Sequence, residues 1–180
     1  MTIQIYTTGG TIDKVYFDAA SAYEVGDPQI AGILKAAGVS FEPAIEALLH
    51  KDSLEMTDAD RALVAERVRA SPHRQVVVTH GTDTMAETAR ATAAALGESD
   101  KTVVFVGSLT PARFKATDAE FNVGFAVAAV QTLPPGVYVA MNGRVFDPRQ
   151  VRKSRERNRF EDAPSEGEPS GEAGGKSLPQ

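Results

Sequence analysis

A chain of 180 residues with 42% hydrophobic and 24% charged content can bury one good core, so a single soluble domain is expected. A formal net charge of −5 disfavours nucleic acid as the main partner, and the absence of cysteine excludes disulfides and thiolate chemistry. No apolar run reaches bilayer-spanning length and no secretory leader pattern precedes the first strand, so a cytoplasmic protein without membrane association is expected.

The first predicted strand is Ile3 to Tyr6. Three more follow at Val76 to Val78, Val103 to Val106 and Val137 to Met141, each short, rich in β-branched residues and running into glycine or a small polar residue. Helical patterns lie between them. Thr57 to Ala70 carries apolar residues at helical spacing, and Thr57 with Asp60 resembles a capping box; Thr84 to Leu96 does the same, and Thr84 with Glu87 fits the box better. Ala119 to Leu133 is a further helix, stopped by Pro134 and Pro135. Strands alternating with helices predict an α/β fold: an open, mostly parallel, Rossmann-like sheet with helices on both faces. Ligands of such sheets sit at the carboxyl ends of the strands. Residues 1–160 are expected to form this domain. Residues 161–180, rich in Pro, Gly and Glu, contain too little apolar surface to offset their ordering entropy and are expected to be a disordered tail.

Two polar clusters end the first two strands, Thr7-Thr8-Gly9-Gly10-Thr11-Ile12 and Thr79-His80-Gly81-Thr82-Asp83-Thr84. Glycine there lets a ligand approach the backbone, while threonine hydroxyls face the same space. A hydroxyl needs a base and an oxyanion site to act as a nucleophile, and Asp83 and Lys153 are candidate activating partners. Each cluster alone reads equally as turns and helix caps. Gly9-Gly10 lacks both the dinucleotide-binding spacing and the lysine of a phosphate loop. His50, His73 and His80 show no metal-ligand spacing, so neither a metal nor another cofactor is expected, and His80 reads as a structural hydrogen-bonding residue. Lys14 reads as a surface loop lysine, and the basic block from Arg149 to Arg159 as a solvated face.

Together the clusters resemble the two signatures of the L-asparaginase family, T-G-G-T-I and H-G-T-D-T, in the family's order. Tyr23-Glu24-Val25-Gly26 is similar to its lid, Asp52 to Asp58 to its substrate-carboxylate loop, and Val151-Arg152-Lys153 to the segment carrying its lysine; Val106-Gly107-Ser108 and Phe121-Asn122 also fall on similar runs. The resemblance implies hydrolysis of the side-chain amide of L-asparagine through a threonine acyl-enzyme. Thr11 would be the primary nucleophile with Tyr23 closing over it, and Thr82, Lys153 and Asp83 a second hydroxyl–amine–carboxylate triad. Gly10, Ser53, Leu54, Glu55, Thr82 and Asp83 would bind substrate, Ser53 its α-carboxylate and Asp83 its α-ammonium. The order in which the threonines act stays open, as do two rivals: a glutaminase or other amidase on the same scaffold, and a non-catalytic amino-acid-binding domain. The family's members usually carry a second, C-terminal domain, and the resemblance is to short, single-domain members. A second copy is therefore expected to complete the pocket, giving a homo-oligomer, most simply a dimer.

Overall fold

The computed structural model describes residues 1–17 and 22–164. Six strands form one sheet. They are β1 (Thr2–Gly9), β4 (Glu42–Lys51), β5 (Gln75–Thr79), β6 (Thr102–Val106), β7 (Gly136–Met141) and β8 (Arg144–Phe146), in the order β4-β1-β5-β6-β7-β8. All neighbours are parallel except β7 and β8. Two antiparallel hairpins stand beside the sheet, β2 (Lys14–Phe17) with β3 (Ala22–Val25), and β9 (Val151–Ser154) with β10 (Arg159–Asp162). The helices are α1 (Ile30–Ala37), α2 (Asp58–Ala70), α3 (Met85–Leu96) and α4 (Ala119–Thr132).

The central strands read as continuous apolar runs because both their faces are covered. Ile3 and Ile5 of β1, Val76 to Val78 of β5 and Val103 to Val106 of β6 are fully buried. α2 packs on α3 and α1 on α4, and α3 and α4 cover opposite faces of β6 and β7, as the expected two-faced α/β architecture requires. β1 to β4 steps toward one edge of the sheet and the other crossovers toward the other edge. With α1 and α4 on a common face, the β6–α4–β7 crossover has the opposite hand to the other three, an exception to a strong rule. The segment after β6 therefore returns across the carboxyl ends of the strands, where the Ala112 amide donates to the Ile12 carbonyl at 3.1 Å.

Helix ends correct one expectation. The capping box belongs to α2: Thr57 Oγ accepts from the Asp60 amide at 3.3 Å, and Asp60 accepts from the Thr57 amide at 2.8 Å. Thr84, which fitted the pattern better, makes no cap; its hydroxyl donates to the Ser53 carbonyl at 2.7 Å. A tertiary acceptor has taken the side chain that local sequence assigned to the helix.

The second hairpin closes the described chain. β10 crosses residue 160, Phe160 is buried, and the Ala163 amide donates to the Gln150 carbonyl at 2.8 Å. Packing among the described residues thus continues to Ala163. Residues 165–180, most of the expected tail, lie outside the described residues.

Candidate active site

β4, β1, β5 and β6 lie side by side, so the loops leaving their carboxyl ends converge. Two glycines set how closely. Gly10 has φ +89°, and a Cβ there would overlap the Gly81 backbone. A Cβ on Gly81 would in turn lie 2.6 Å from the Ser53 side chain. Only glycine permits this stack, which lays the Thr11 loop against the Thr82 loop and the Thr82 loop against Ser53. Thr8 fastens β1 to β5 at the same level, its hydroxyl donating to the Thr79 carbonyl at 3.0 Å.

Thr82 is buried, and Lys153 Nζ lies 2.8 Å from its Oγ and 3.0 Å from Asp83 Oδ1. The expected hydroxyl–amine–carboxylate triad is thus assembled from β5 and from β9, 71 residues later in the chain. Side-chain exposures of 16% for Lys153 and 26% for Asp83 leave the ion pair largely withdrawn from water yet reachable by a small molecule. Asp83 shares Nζ with Thr82 and so holds the amine in place.

Thr11 opens a short 3-10 turn, Thr11–Asp13, and is half-buried. Among the described residues its hydroxyl has no hydrogen-bond partner. Tyr23 sits on β3, 51% exposed, its ring 5.4 Å from Tyr16 and 6.0 Å from Phe114. No hydrogen bond joins its hydroxyl to Thr11 among the described residues, so the structure does not bring these two together as it does Thr82 and Lys153.

Ser53 is buried, whereas Leu54 and Glu55 face solvent. Asp52 caps the Ser53–Glu55 turn by accepting from the Leu54 amide at 3.1 Å. Lys14 pairs with Asp52 at 2.7 Å and is half-buried, not the surface loop lysine expected. Burial pushes the Asp52 carboxyl up, but the Lys14 ammonium and the Leu54 amide outweigh it and hold it below the usual range. A cleft of about 480 Å³ opens here, lined by Lys14, Tyr23, His50, Asp52, Leu54 and Glu55 among others. A larger hollow, about 760 Å³ beside α3 and β7, shares none of these residues.

His80 is fully buried, with Nδ1 2.8 Å from the Gly81 carbonyl. A carbonyl only accepts, so Nδ1 carries the proton. Burial lowers the imidazole to about 4, which keeps it neutral and leaves it structural, as its position suggested.

Asp13 escaped the sequence reading. Its carbonyl accepts from the Gly26 amide at 2.8 Å and its Oδ1 from the Gln29 amide at 2.8 Å, so it clamps both ends of the β2–β3 hairpin. Oδ2 is buried and, among the described residues, without a partner, and burial raises the carboxyl to about 6 despite the Gln29 amide. Asp118 was missed as well. It accepts from the Leu109 and Thr110 amides at 3.0 Å and shapes the loop after β6.

Residues 2–167 match the family profile "Asparaginase, N-terminal". The chain is 30% identical over 167 residues to the glutaminase-asparaginase of Acinetobacter glutaminasificans, covering 84% of this chain and 49% of that protein. It is 32% identical over 161 residues to L-asparaginase 2 of Escherichia coli, covering 84% and 46%. Among solved structures, the thermostable L-asparaginase of Thermococcus kodakarensis superposes with a TM-score of 0.80 at 25% identity, over 90% of this chain and 51% of that one. The chain spans about half the length of the curated relatives it matches. With the glycine stack, the Thr82–Lys153–Asp83 contacts and this profile in agreement, the chain belongs to the asparaginase family and corresponds to its N-terminal domain.

Proposed function

We propose that this chain hydrolyses the side-chain amide of L-asparagine to L-aspartate and ammonia through a threonine acyl-enzyme. The observation that carries the reading is the 2.8 Å contact between Lys153 Nζ and Thr82 Oγ, backed by Asp83. A neutral amine at that distance accepts the hydroxyl proton as oxygen attacks the amide carbon. The tetrahedral intermediate collapses, ammonia leaves with the proton, and an ester joins acyl group and threonine. Water then attacks the ester and restores the hydroxyl. Thr11, one residue beyond the glycine stack, supplies the second hydroxyl, and with Tyr23 closed over it serves the half-reaction that Thr82 does not carry. Ser53 binds the α-carboxylate and Asp83 the α-ammonium, with Gly10, Leu54 and Glu55 completing the contact surface.

Glutamine is the second candidate substrate, favoured by the printed name of the Acinetobacter relative. One added methylene is worth about 10- to 200-fold in discrimination at most sites. Side-by-side kcat/KM for the two amides on the purified chain tests both readings: asparagine should lead. Glutamine ahead of asparagine would make the enzyme a glutaminase, and ammonia from neither would leave an amino-acid-binding domain. The proposal places the working enzyme in the cytoplasm as a homo-oligomer, most simply a dimer, with a second copy closing the pocket.

A further inference from the structure

Lys153 stands on a two-stranded hairpin outside the main sheet, and an isolated hairpin is at best marginally stable. Its alignment to about 0.5 Å with Thr82, as acid–base chemistry demands, therefore needs an external support. β7 and β8 are joined by Asn142 and Gly143, with φ +53° and +72°, the two-residue Asn-Gly turn that matches strand twist. Asn142 Oδ1 accepts from the Phe160 amide at 2.9 Å. Phe160 is the residue of β10 directly opposite Lys153, and directly opposed residues share a face. The Phe160 amide thus points away from β9 to Asn142, while its buried ring anchors the face from which Lys153 extends. Behind Asn142, its own amide donates to Asn122 Oδ1 at 3.3 Å. Asn122 is fully buried, its Nδ2 donating to the Gly107 carbonyl at 3.1 Å and to Asp118 at 2.8 Å.

We infer that Asn142, held by Asn122, is the positioning residue that docks the β9–β10 hairpin and so sets Lys153 against Thr82. Resting on the proposed amidase reading, this names a residue that touches neither substrate nor the reacting atoms. The turn itself does not require an acceptor aimed at β10, since glycine serves the left-handed position as well. Asn142→Gly keeps the left-handed turn and removes the acceptor with the rest of the side chain, while Asn142→Asp keeps both turn and acceptor.

The test compares wild type, N142G and N142D for ammonia release from asparagine, per folded molecule as judged by thermal melts. N142G should lose about three- to tenfold in kcat, the scale of one hydrogen bond, with KM nearly unchanged, and N142D should recover most of it. Crystal structures of N142G and N142D provide a readout independent of turnover: Lys153 Nζ should leave hydrogen-bond distance of Thr82 in N142G and keep it in N142D. Wild-type kcat and an unmoved lysine in N142G would overturn the inference, as would equal losses in N142G and N142D. If the wild type releases no ammonia, the amidase reading fails and the lysine's position in the two structures still decides the role of Asn142.

Discussion

Asp13 and His80 are buried titratable groups beside the site, and burial disfavours the charged form of each, raising the carboxyl and lowering the imidazole. For Asp13 the folded carboxyl titrates near 6, above its ordinary 3.8. Between those values the folded state binds more protons than the unfolded chain, so stability falls as pH rises and the loss is complete above about pH 6. Asn at this position keeps the Oδ1 acceptor for the Gln29 amide and removes the charge. The melting temperature of Asp13→Asn relative to wild type should therefore climb between pH 4.5 and 7.5; parallel curves would contradict the assignment. His80 works the other way. Its folded value near 4 lies below 6.5, so the stability it contributes is present above 6.5 and drains as pH falls toward 4. Neither group was legible beforehand as titrating. Asp13 follows the glycine cluster as one more polar residue, and its burial arises only when Gly26 and Gln29 close on it.

At the level of elements, the strands that cross the core were the most legible. Val76 to Val78 and Val103 to Val106 are apolar on both faces, which no exposed segment tolerates. β4 went unread because it is a half-exposed edge strand, whose Glu42, Pro43, Glu46 and Lys51 break the apolar pattern. β9 and β10 went unread for a related reason. Arg152 pairs with Glu161 at 2.7 Å across the hairpin, so each strand alone looks like solvated charge. The Asn-Gly turn at 142–143 was a signal that a closer reading could have used. Helix caps supply a separable test. Thr57→Ala removes a true cap and should cost about 1 kcal/mol in denaturant melts with little effect on turnover. Thr84→Ala removes the hydrogen bond to Ser53 and should raise KM for asparagine with a smaller loss of stability. Identical stability losses and an unchanged KM in Thr84→Ala would return Thr84 to a capping role.

Across the whole molecule, both glycine clusters were legible as a site because the carboxyl-edge rule of parallel sheets places them on one rim. What composition and motif could not convey was the packing distance between them, fixed by Gly10 against Gly81 and Gly81 against Ser53. The rim remains open around exposed Tyr16, Tyr23 and Leu54. The proposed closure of that rim by a second copy predicts that specific activity falls on dilution in step with dissociation, followed by sedimentation at the same concentrations. A monomer with full turnover would show that one domain closes its own pocket.

In the proposed reaction Lys153, held by Asp83, activates Thr82. The most direct test of this step is the rate of ammonia release from L-asparagine by wild type, Thr82→Val and Lys153→Met, with melting curves confirming that each is folded. Wild type should turn over, and each variant should lose at least about a hundredfold in kcat, the scale of a removed acid–base partner. A folded Lys153→Met protein that releases ammonia at the wild-type rate would contradict the account.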